Sequence, residues 1–406
     1  MSSPPKTPLD KRIYIIFMIM FTEVLGFSIV IPLLPFLGLS LRLNYFQIGL
    51  IAAIFSFCQL FASPITGKLS DRFGRKPVLI FSQISTLTGF ILLGFASNVW
   101  ILVASRLVDG LLGSNYTVSQ AYISDVTHPK DRTRVYSYSS AVFGAGMIFG
   151  PLIGGFLSIF NYAIPMFFAA GISLISIILV ITLLPESLEK REEKLRLRFE
   201  DVIPYKEAVH FFRTPRIRGL LMLFFSYSFG FMLFISTIVL FAQVQIGASP
   251  QEVSLYFTTV GILRVLFQSL LINPLLKLTG EDKLLGAGIL ILIATFSILI
   301  FTTSYWIAFI PMALLSFGTG VVRPVLISKV SKSVKREDTG SVMGVNNSLS
   351  SIAMIITPIL GGFFIEYLPS QVLPATSAAI FILIFVLWKW IIPSSSNDIE
   401  VNNLQL

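Results

Sequence analysis

Long apolar runs broken by short polar interruptions set the pattern of this chain. A helix rising 1.5 Å per residue needs about 20 apolar residues to cross a hydrocarbon core of ~30 Å. Counting runs of that length gives about twelve spans. The first half holds 12–36, 47–66, 77–96, 99–121, 136–158 and 163–184; the second holds 217–241, 253–275, 284–302, 305–327, 340–366 and 371–392. Each is expected to be helical, because lipid offers no partner to an unpaired backbone group. The expected fold is therefore an all-α membrane protein of twelve transmembrane helices.

The two halves resemble copies. Asp131, Val135, Pro151, Gly154, Gly155 and Phe156 recur at one constant offset as Asp338, Val342, Pro358, Gly361, Gly362 and Phe363. Six matches at a single offset, in equivalent spans, predict two pseudo-symmetric six-helix bundles of the parallel-repeat kind. The one long connection, 185–216, carries the charge-dense run E-K-R-E-E-K-L-R-L-R. It divides the chain into an N-terminal bundle (1–184), a cytoplasmic linker (185–216) and a C-terminal bundle with a short cytoplasmic tail (217–406). The stretch 67–76, G-K-L-S-D-R-F-G-R-K, lies between two spans and is expected to form a short turn at a membrane surface.

Composition agrees with membrane residence. Hydrophobic residues make up 54% of the 406 positions and charged residues 13%, with a mean hydropathy of +0.83, too little polarity for a soluble chain of this length. The net charge of +9 raises nucleic-acid binding, but the basic residues flank spans instead of forming one face. They collect in alternate connections, at Lys6, Lys11 and Arg12, in 67–76, at Lys130, Arg132 and Arg134, in 185–216, at Lys277 and Lys283, and from Lys329 to Arg336, whereas Arg42 stands alone on the opposite side. That asymmetry predicts cytoplasmic termini in a plasma-membrane protein. The single cysteine, Cys58, permits no internal disulfide, and neither a short apolar leader nor a small-residue cleavage site marks a signal peptide.

Against this background, G-x-L-x-D-R-x-G-R-K at 67–76 resembles the signature loop of the major facilitator superfamily between its second and third helices. The similarity covers nearly the whole chain. Ala121 to Val126 followed by Asp131-Arg132 is similar to that family's exit from helix four. Gly146, Gly150, Pro151, Gly154 and Gly155 resemble the helix-five pattern of drug and proton antiporters, with Ser137 where an opening glycine is usual. Arg106 and Gly110 match the R-x-x-x-G element of helix four, although Asp109 stands where glutamine is frequent. Within the superfamily the resemblance is to twelve-helix drug:proton antiporters, including tetracycline exporters. It implies the major facilitator fold.

Charges inside spans carry the mechanistic information, since each costs about 2.5–3.5 kcal/mol at the bilayer centre on insertion scales. Glu23 and Asp109 lie near the middle of spans one and four, with Arg106 one turn from Asp109. The pair Arg106 and Asp109 reads either as self-neutralising or as a carboxylate tuned by its arginine. Glu23 has no cation on its own helix. Desolvation in a membrane cavity can bring carboxylate proton exchange into the physiological range, so Glu23, Asp109 and Arg106 are the proton-coupling candidates. Arg264, in span eight, reads as an anion-binding residue of the substrate cavity or as a counter-ion, and Arg323 lies nearer the end of span ten. Phe27, Tyr116, Tyr227 and Phe231 are the aromatic cavity candidates, although most aromatics of such a chain face lipid or pack between helices.

Gly67, Asp71, Arg72, Gly74, Arg75 and Lys76, together with Asp125, form either a topology marker alone or a conformational gate. In the gate reading Arg75 reaches Asp125, and Asp71 meets the N-terminus of a helix from the other half, whose dipole favours an anion. The expected activity is secondary transport, in the form of proton-coupled antiport that exports amphipathic small molecules. The alternative is a symporter or uniporter importing a metabolite such as a sugar or organic acid. A membrane receptor lacks the long exposed domains it would need, and an enzyme lacks a P-loop or a His-rich metal cluster. No cofactor is expected beyond a proton gradient. The expected partners are a small-molecule substrate, protons and the bilayer, with no nucleic acid, and the chain is expected to act as a monomer.

Overall fold

The computed structural model describes residues 10–128, 131–188, 205–335 and 338–391. The start of the chain, most of the linker run and the tail beyond 391 lie outside them. Every regular element among the described residues is helical. Seven belong to the first half: α1 Lys11–Ser40, α2 Tyr45–Phe73, α3 Arg75–Gly94, α4 Val99–Leu112, α5 Asn115–Val126, α6 Arg132–Leu157 and α7 Ala163–Leu183. In the second half α8 is Tyr205–Arg213, α9 Pro215–Ile235, α10 Ile238–Ile246, α11 Pro250–Leu266, α12 Ile272–Phe301, α13 Tyr305–Lys332, α14 Thr339–Tyr367 and α15 Val372–Ile391. Ten of the described helices are long and apolar enough to cross a membrane, and Val372–Trp388 is a shorter apolar one.

Local chemistry explains most boundaries. Asn98 caps α4 by accepting from the backbone of Trp100 (3.0 Å) and Ile101 (3.1 Å), and Ser249 with Glu252 forms a reciprocal capping box at α11. Four expectations need correction. The predicted turn at 67–76 is mostly helix: α2 continues to Phe73 and only Gly74 breaks it, at φ 105°, a conformation that costs glycine little. The fourth span, expected unbroken over 99–121, divides at Gly113-Ser114 into α4 and α5. The seventh divides at Ser236-Thr237. The eighth passes through a π-helical turn, Phe267–Leu271, directly into α12, which kinks at Gly280 (φ 75°).

The helices group into two compact units, 1–43 with 54–202, and 44–53 with 203–406. The first turns of α2 thus belong with the second unit. In the first unit α1 packs along α6 and α7, and α3 along α7 and α4. Glycines make the α1–α6 seam close. Gly146 faces Val24, Gly150 faces Ser28 and Gly154 faces Ile29, while Ser28 Oγ donates to the Gly146 carbonyl (2.8 Å). Gly155 and Pro151 are buried in the same helix. This is the small-residue packing that membrane helices use where hydrophobicity alone gives no attraction. One apolar cluster, from Ile13, Ile16, Ile19 and Met20 to Leu79, Tyr122 and Val180, closes an end of this unit.

In the second unit α9 packs against α14 and α15, and α12 against α13 and α15. Its core is aromatic: Phe296 stacks on Phe381 at 5.4 Å, with Phe234 and Tyr227 edge-on to that pair. At the start of α2, the Tyr45 amide donates to Glu366 Oε2 of α14 (2.8 Å).

Candidate functional site

The break between α4 and α5 builds the interior of the first unit. Beyond Leu112 the helix cannot continue, and the Gly113 amide turns back to the Asp109 carbonyl (2.8 Å). A β-carbon at 113 would lie 2.6 Å from Asp109 Oδ1 and 2.8 Å from Thr86 Oγ1, so only glycine fits without displacing them. Gln59 Nε2 donates to the Gly113 carbonyl left free by the break (2.9 Å). Chain direction resets at Ser114, and α5 begins with Asn115 pointing inward.

Asn115 is the hub. Its Nδ2 donates to Glu23 Oε2 of α1 (2.6 Å) and to Thr86 Oγ1 of α3 (3.0 Å). Thr86 in turn donates to Asp109 Oδ1 (2.9 Å). Two carboxylates on different helices are therefore joined by two uncharged side chains. Alongside, Gln83 Nε2 donates to Ser176 Oγ of α7 (2.7 Å).

The cation of this site is held loosely. Arg106 Nη2 stands 3.9 Å from Asp109 Oδ2, at the outer limit of an ion pair. Its guanidinium lies over the Phe55 ring at 5.7 Å, and Phe27 stacks on that ring at 5.9 Å. Arg106 and Asp109 are only 3% and 4% exposed. Among the described residues Gln83 Oε1, Asn115 Oδ1 and Arg106 Nη2 are buried without a hydrogen-bond partner. Each such group costs about 1–3 kcal/mol, which a purely structural network would avoid by closing its own bonds. What the arrangement can do chemically is bind and release a proton at either carboxylate while the other stays hydrogen-bonded.

The remaining aromatic candidates are distributed between the units. Tyr116 is exposed, edge-on to Phe143 at 5.7 Å in the first unit. Tyr227 and Phe231 belong to α9 of the second unit, where their rings stack at 6.2 Å. Arg264 lies in the last turn of α11, half-buried, with no ion pair among the described residues.

The 67–76 residues form a second charged site at one end of the first unit. Arg75, 7% exposed, bonds through Nε to Asp125 Oδ2 (2.9 Å), through Nη2 to Asp71 (2.6 Å) and through Nη1 to Ser70 Oγ (2.6 Å). Glu186, just past α7, accepts from the Arg75 amide (2.9 Å) and the Lys76 amide (3.2 Å), so an anion sits at the N-terminus of α3. Lys76 Nζ reaches the Ile181 carbonyl (2.8 Å), and Ser187 donates to Asp125 (3.0 Å). Arg72 lies over Phe73, and Gly67 faces Thr117. Four segments are tied together here: the end of α2, the start of α3, the end of α5 and the stretch after α7.

The corresponding stretch of the second unit carries reversed charges. At the offset that matches Asp131 with Asp338, Arg75 corresponds to Asp282 and Asp125 to Lys332. There Lys329 pairs with Asp282 (2.5 Å) and Lys332 with Glu281 (2.7 Å), next to the positive-φ Gly280.

Charge inside an apolar run marked Glu23, Arg106 and Asp109, but nothing marked Thr86, Asn115, Gln83 or Ser176, which are neutral residues ordinary in membrane helices. Glu186 was hidden by its place in a charge-rich linker. The G-S-N turn signal at 113–115 was available to sequence reading and points to the break.

Known proteins resemble this chain in sequence and in fold. The chain is 29% identical over 365 residues to the class H tetracycline resistance protein of Pasteurella multocida, covering 88% of this chain and 90% of the relative. It is 28% identical over 367 residues to multidrug resistance protein 2 of Bacillus subtilis, with coverage of 88% and 90%. The crystal structure of the nucleoside transporter NupG superposes with a TM-score of 0.77 at 12% identity, covering 94% of this chain and 99% of that one, which shows a common fold. The family model of the Major Facilitator Superfamily matches residues 16–247 and 220–404. With that match over nearly all of its spans, the chain belongs to the Major Facilitator Superfamily, and it is a multi-pass membrane transporter of small molecules, not an enzyme.

Proposed function

We propose that this transporter exports amphipathic small molecules in exchange for protons, with Glu23 and Asp109 as the carboxylates that load and release them. The observation that carries this reading is the bridge Glu23–Asn115–Thr86–Asp109 inside the first unit. Each carboxylate accepts one end of the bridge and the Thr86 hydroxyl accepts the middle bond; protonating a carboxylate turns one of its oxygens from an acceptor into a donor. Arg106 stands at the outer limit of an ion pair with Asp109, too far to lock it in place. The names of the relatives, tetracycline resistance and multidrug resistance, support export of drug-like compounds. The driving force is then the proton gradient across a plasma membrane, with both termini cytoplasmic and the protein working as a monomer. The cluster around Arg75 serves as the cytoplasmic gate, moving the ends of α2, α3 and α5 as one piece.

Purified protein in liposomes tests this. An imposed pH gradient drives uptake or release of a fluorescent cationic dye in the wild type. In Glu23→Gln and Asp109→Asn the gradient loses its effect, and downhill dye exchange persists. Dye movement that ignores the gradient in the wild type, or gradient-driven movement that survives both substitutions together, overturns proton coupling.

A further inference from the structure

Helical spacing gives the nine residues of α8 two distinct faces. Ala208, Phe211 and Phe212 turn inward, into an apolar cluster with Leu221 of α9, Val330 of α13 and Val342 of α14. Tyr205, Lys206, Val209, His210 and Arg213, spaced alternately one and three residues apart, form the opposite stripe, and all five are exposed. They border a groove of about 260 Å³. The one carboxylate of the helix, Glu207, lies off that stripe with its Oε2 buried.

Only Thr214 separates α8 from α9, a helix long and apolar enough to cross a membrane. The stripe therefore stands where a span meets the headgroup layer. Arg216 and Arg218, also exposed, carry the positive charge of Lys206 and Arg213 around that junction. Lys206 Nζ lies over the Tyr205 ring at 5.9 Å, so a cation and an amphipathic aromatic share one surface. Water does nothing for exposed Val209 and Tyr205, and hydrocarbon excludes the charges. The layer that suits both is the membrane interface, where apolar side chains dip below the headgroups and long basic ones reach up to them. Positive charge held there is complemented by anionic headgroups.

We propose that the outward stripe of α8, with Arg216 and Arg218, is a docking surface for the phosphate headgroups of anionic phospholipid. Lys206 and Arg213 meet the phosphates, and Tyr205 and Val209 enter the layer beneath them. Phe211 and Phe212, on the inward face, tie the docked helix to α9, α13 and α14. The occupant is lipid because headgroups already surround the head of a membrane-crossing helix, and they supply the charge that the stripe lacks. The site requires only that α9 crosses the membrane and is independent of what the protein transports.

Fluorescence quenching of the full chain in nanodiscs tests the assignment. Thr214 is exposed and its side chain makes no cap bond, so Thr214→Cys carries a bimane fluorophore beside the stripe, while the natural thiol, Cys58, is buried. The quenchers are phosphatidylglycerol and phosphatidylcholine, each bearing a nitroxide high on the acyl chain and each added to unlabelled phosphatidylcholine. Every Lys or Arg at an anionic surface is worth about fivefold, so phosphatidylglycerol should reach half-maximal quenching at a mole fraction at least about tenfold below phosphatidylcholine. Lys206→Gln with Arg213→Gln removes most of that preference, Lys206→Arg with Arg213→Lys keeps it, and raised salt weakens it. Lys277→Gln with Lys283→Gln, the same loss of charge elsewhere in the second unit, leaves it unchanged. Should the double glutamine variant of α8 fail to fold by gel filtration, Lys206→Gln alone and the salt titration carry the comparison. Equal quenching by the two lipids, a preference that survives removal of the α8 charges, or one lost as readily in the Lys277 and Lys283 variant overturns the site.

Discussion

Replacing Thr86 with Val exchanges a hydroxyl for a methyl at nearly constant volume, and it cuts the bridge between the two carboxylates at one atom. Two losses follow. The hydrogen bond from Thr86 to Asp109 Oδ1, 2.9 Å long and made to a charged acceptor, disappears; bonds of that kind contribute about 1.5–3 kcal/mol. The second Asn115 N–H, which donates to Thr86 at 3.0 Å, is left without an acceptor at a residue 6% exposed, a cost of about 1–3 kcal/mol. Both losses belong to one network and do not add fully, so the sum is about 3 kcal/mol, or roughly a hundredfold in a rate or equilibrium. If protons pass by way of this bridge as proposed, it is remade in each cycle, and the loss falls on gradient-driven transport. Dye movement in proteoliposomes should slow by about two orders of magnitude at unchanged gradient, with a lower thermal unfolding temperature in detergent. Thr86→Ser keeps the hydroxyl and should recover most of the rate. A valine variant within twofold of wild type, or a serine variant as slow as valine, would show that the bridge is incidental to transport.

Gly113→Ala pushes a β-carbon against Asp109 and Thr86; about 1–3 kcal/mol of overpacking should appear as lost transport at normal membrane yield, and a fully active variant argues against a site shaped by that close approach. Asp125→Ala leaves the buried Arg75 without its Nε partner and should destabilise the first unit by about 3 kcal/mol in chemical unfolding. Asp71→Asn, at a side chain 38% exposed, should cost under about 1 kcal/mol in the same measurement while slowing transport. The opposite order of stabilities contradicts the assignment of Asp125 as the main partner. Asp282→Lys should lower the unfolding temperature of the protein, and adding Lys329→Asp should restore it. A double variant no better than the single one removes the Lys329–Asp282 pair from the account.

Most of the architecture is legible from hydrophobicity because the bilayer imposes one rule, that a span is a helix of fixed length. Interruptions inside a span are harder to see. Gly113-Ser114 and Ser236-Thr237 break helices whose apolar character continues across the break, so run length alone cannot detect them. At 67–76 the error is opposite: polarity suggested a loop, but α2 projects past the apolar region and stays helical to Phe73. In the site, charge singled out Glu23, Arg106 and Asp109, whereas Asn115 and Thr86 acquire their importance from three-dimensional proximity to those carboxylates. Glu186 lies far from Arg75 in sequence and caps α3 only because α7 returns the chain to that end of the unit.

The reversed charges at Arg75 and Asp282 bear on assembly of a chain that carries the same fold twice. A duplicated protein risks docking a hairpin of one half onto the other during synthesis, since both halves offer similar apolar seams. Here such an exchange is penalised at a single point. The start of α3 from the first half would bring Arg75 against Lys332, and the part of α12 beyond Gly280 from the second would bring Asp282 against Asp125. Opposite charge at these two positions would disfavour such an exchange even where the apolar seams are alike.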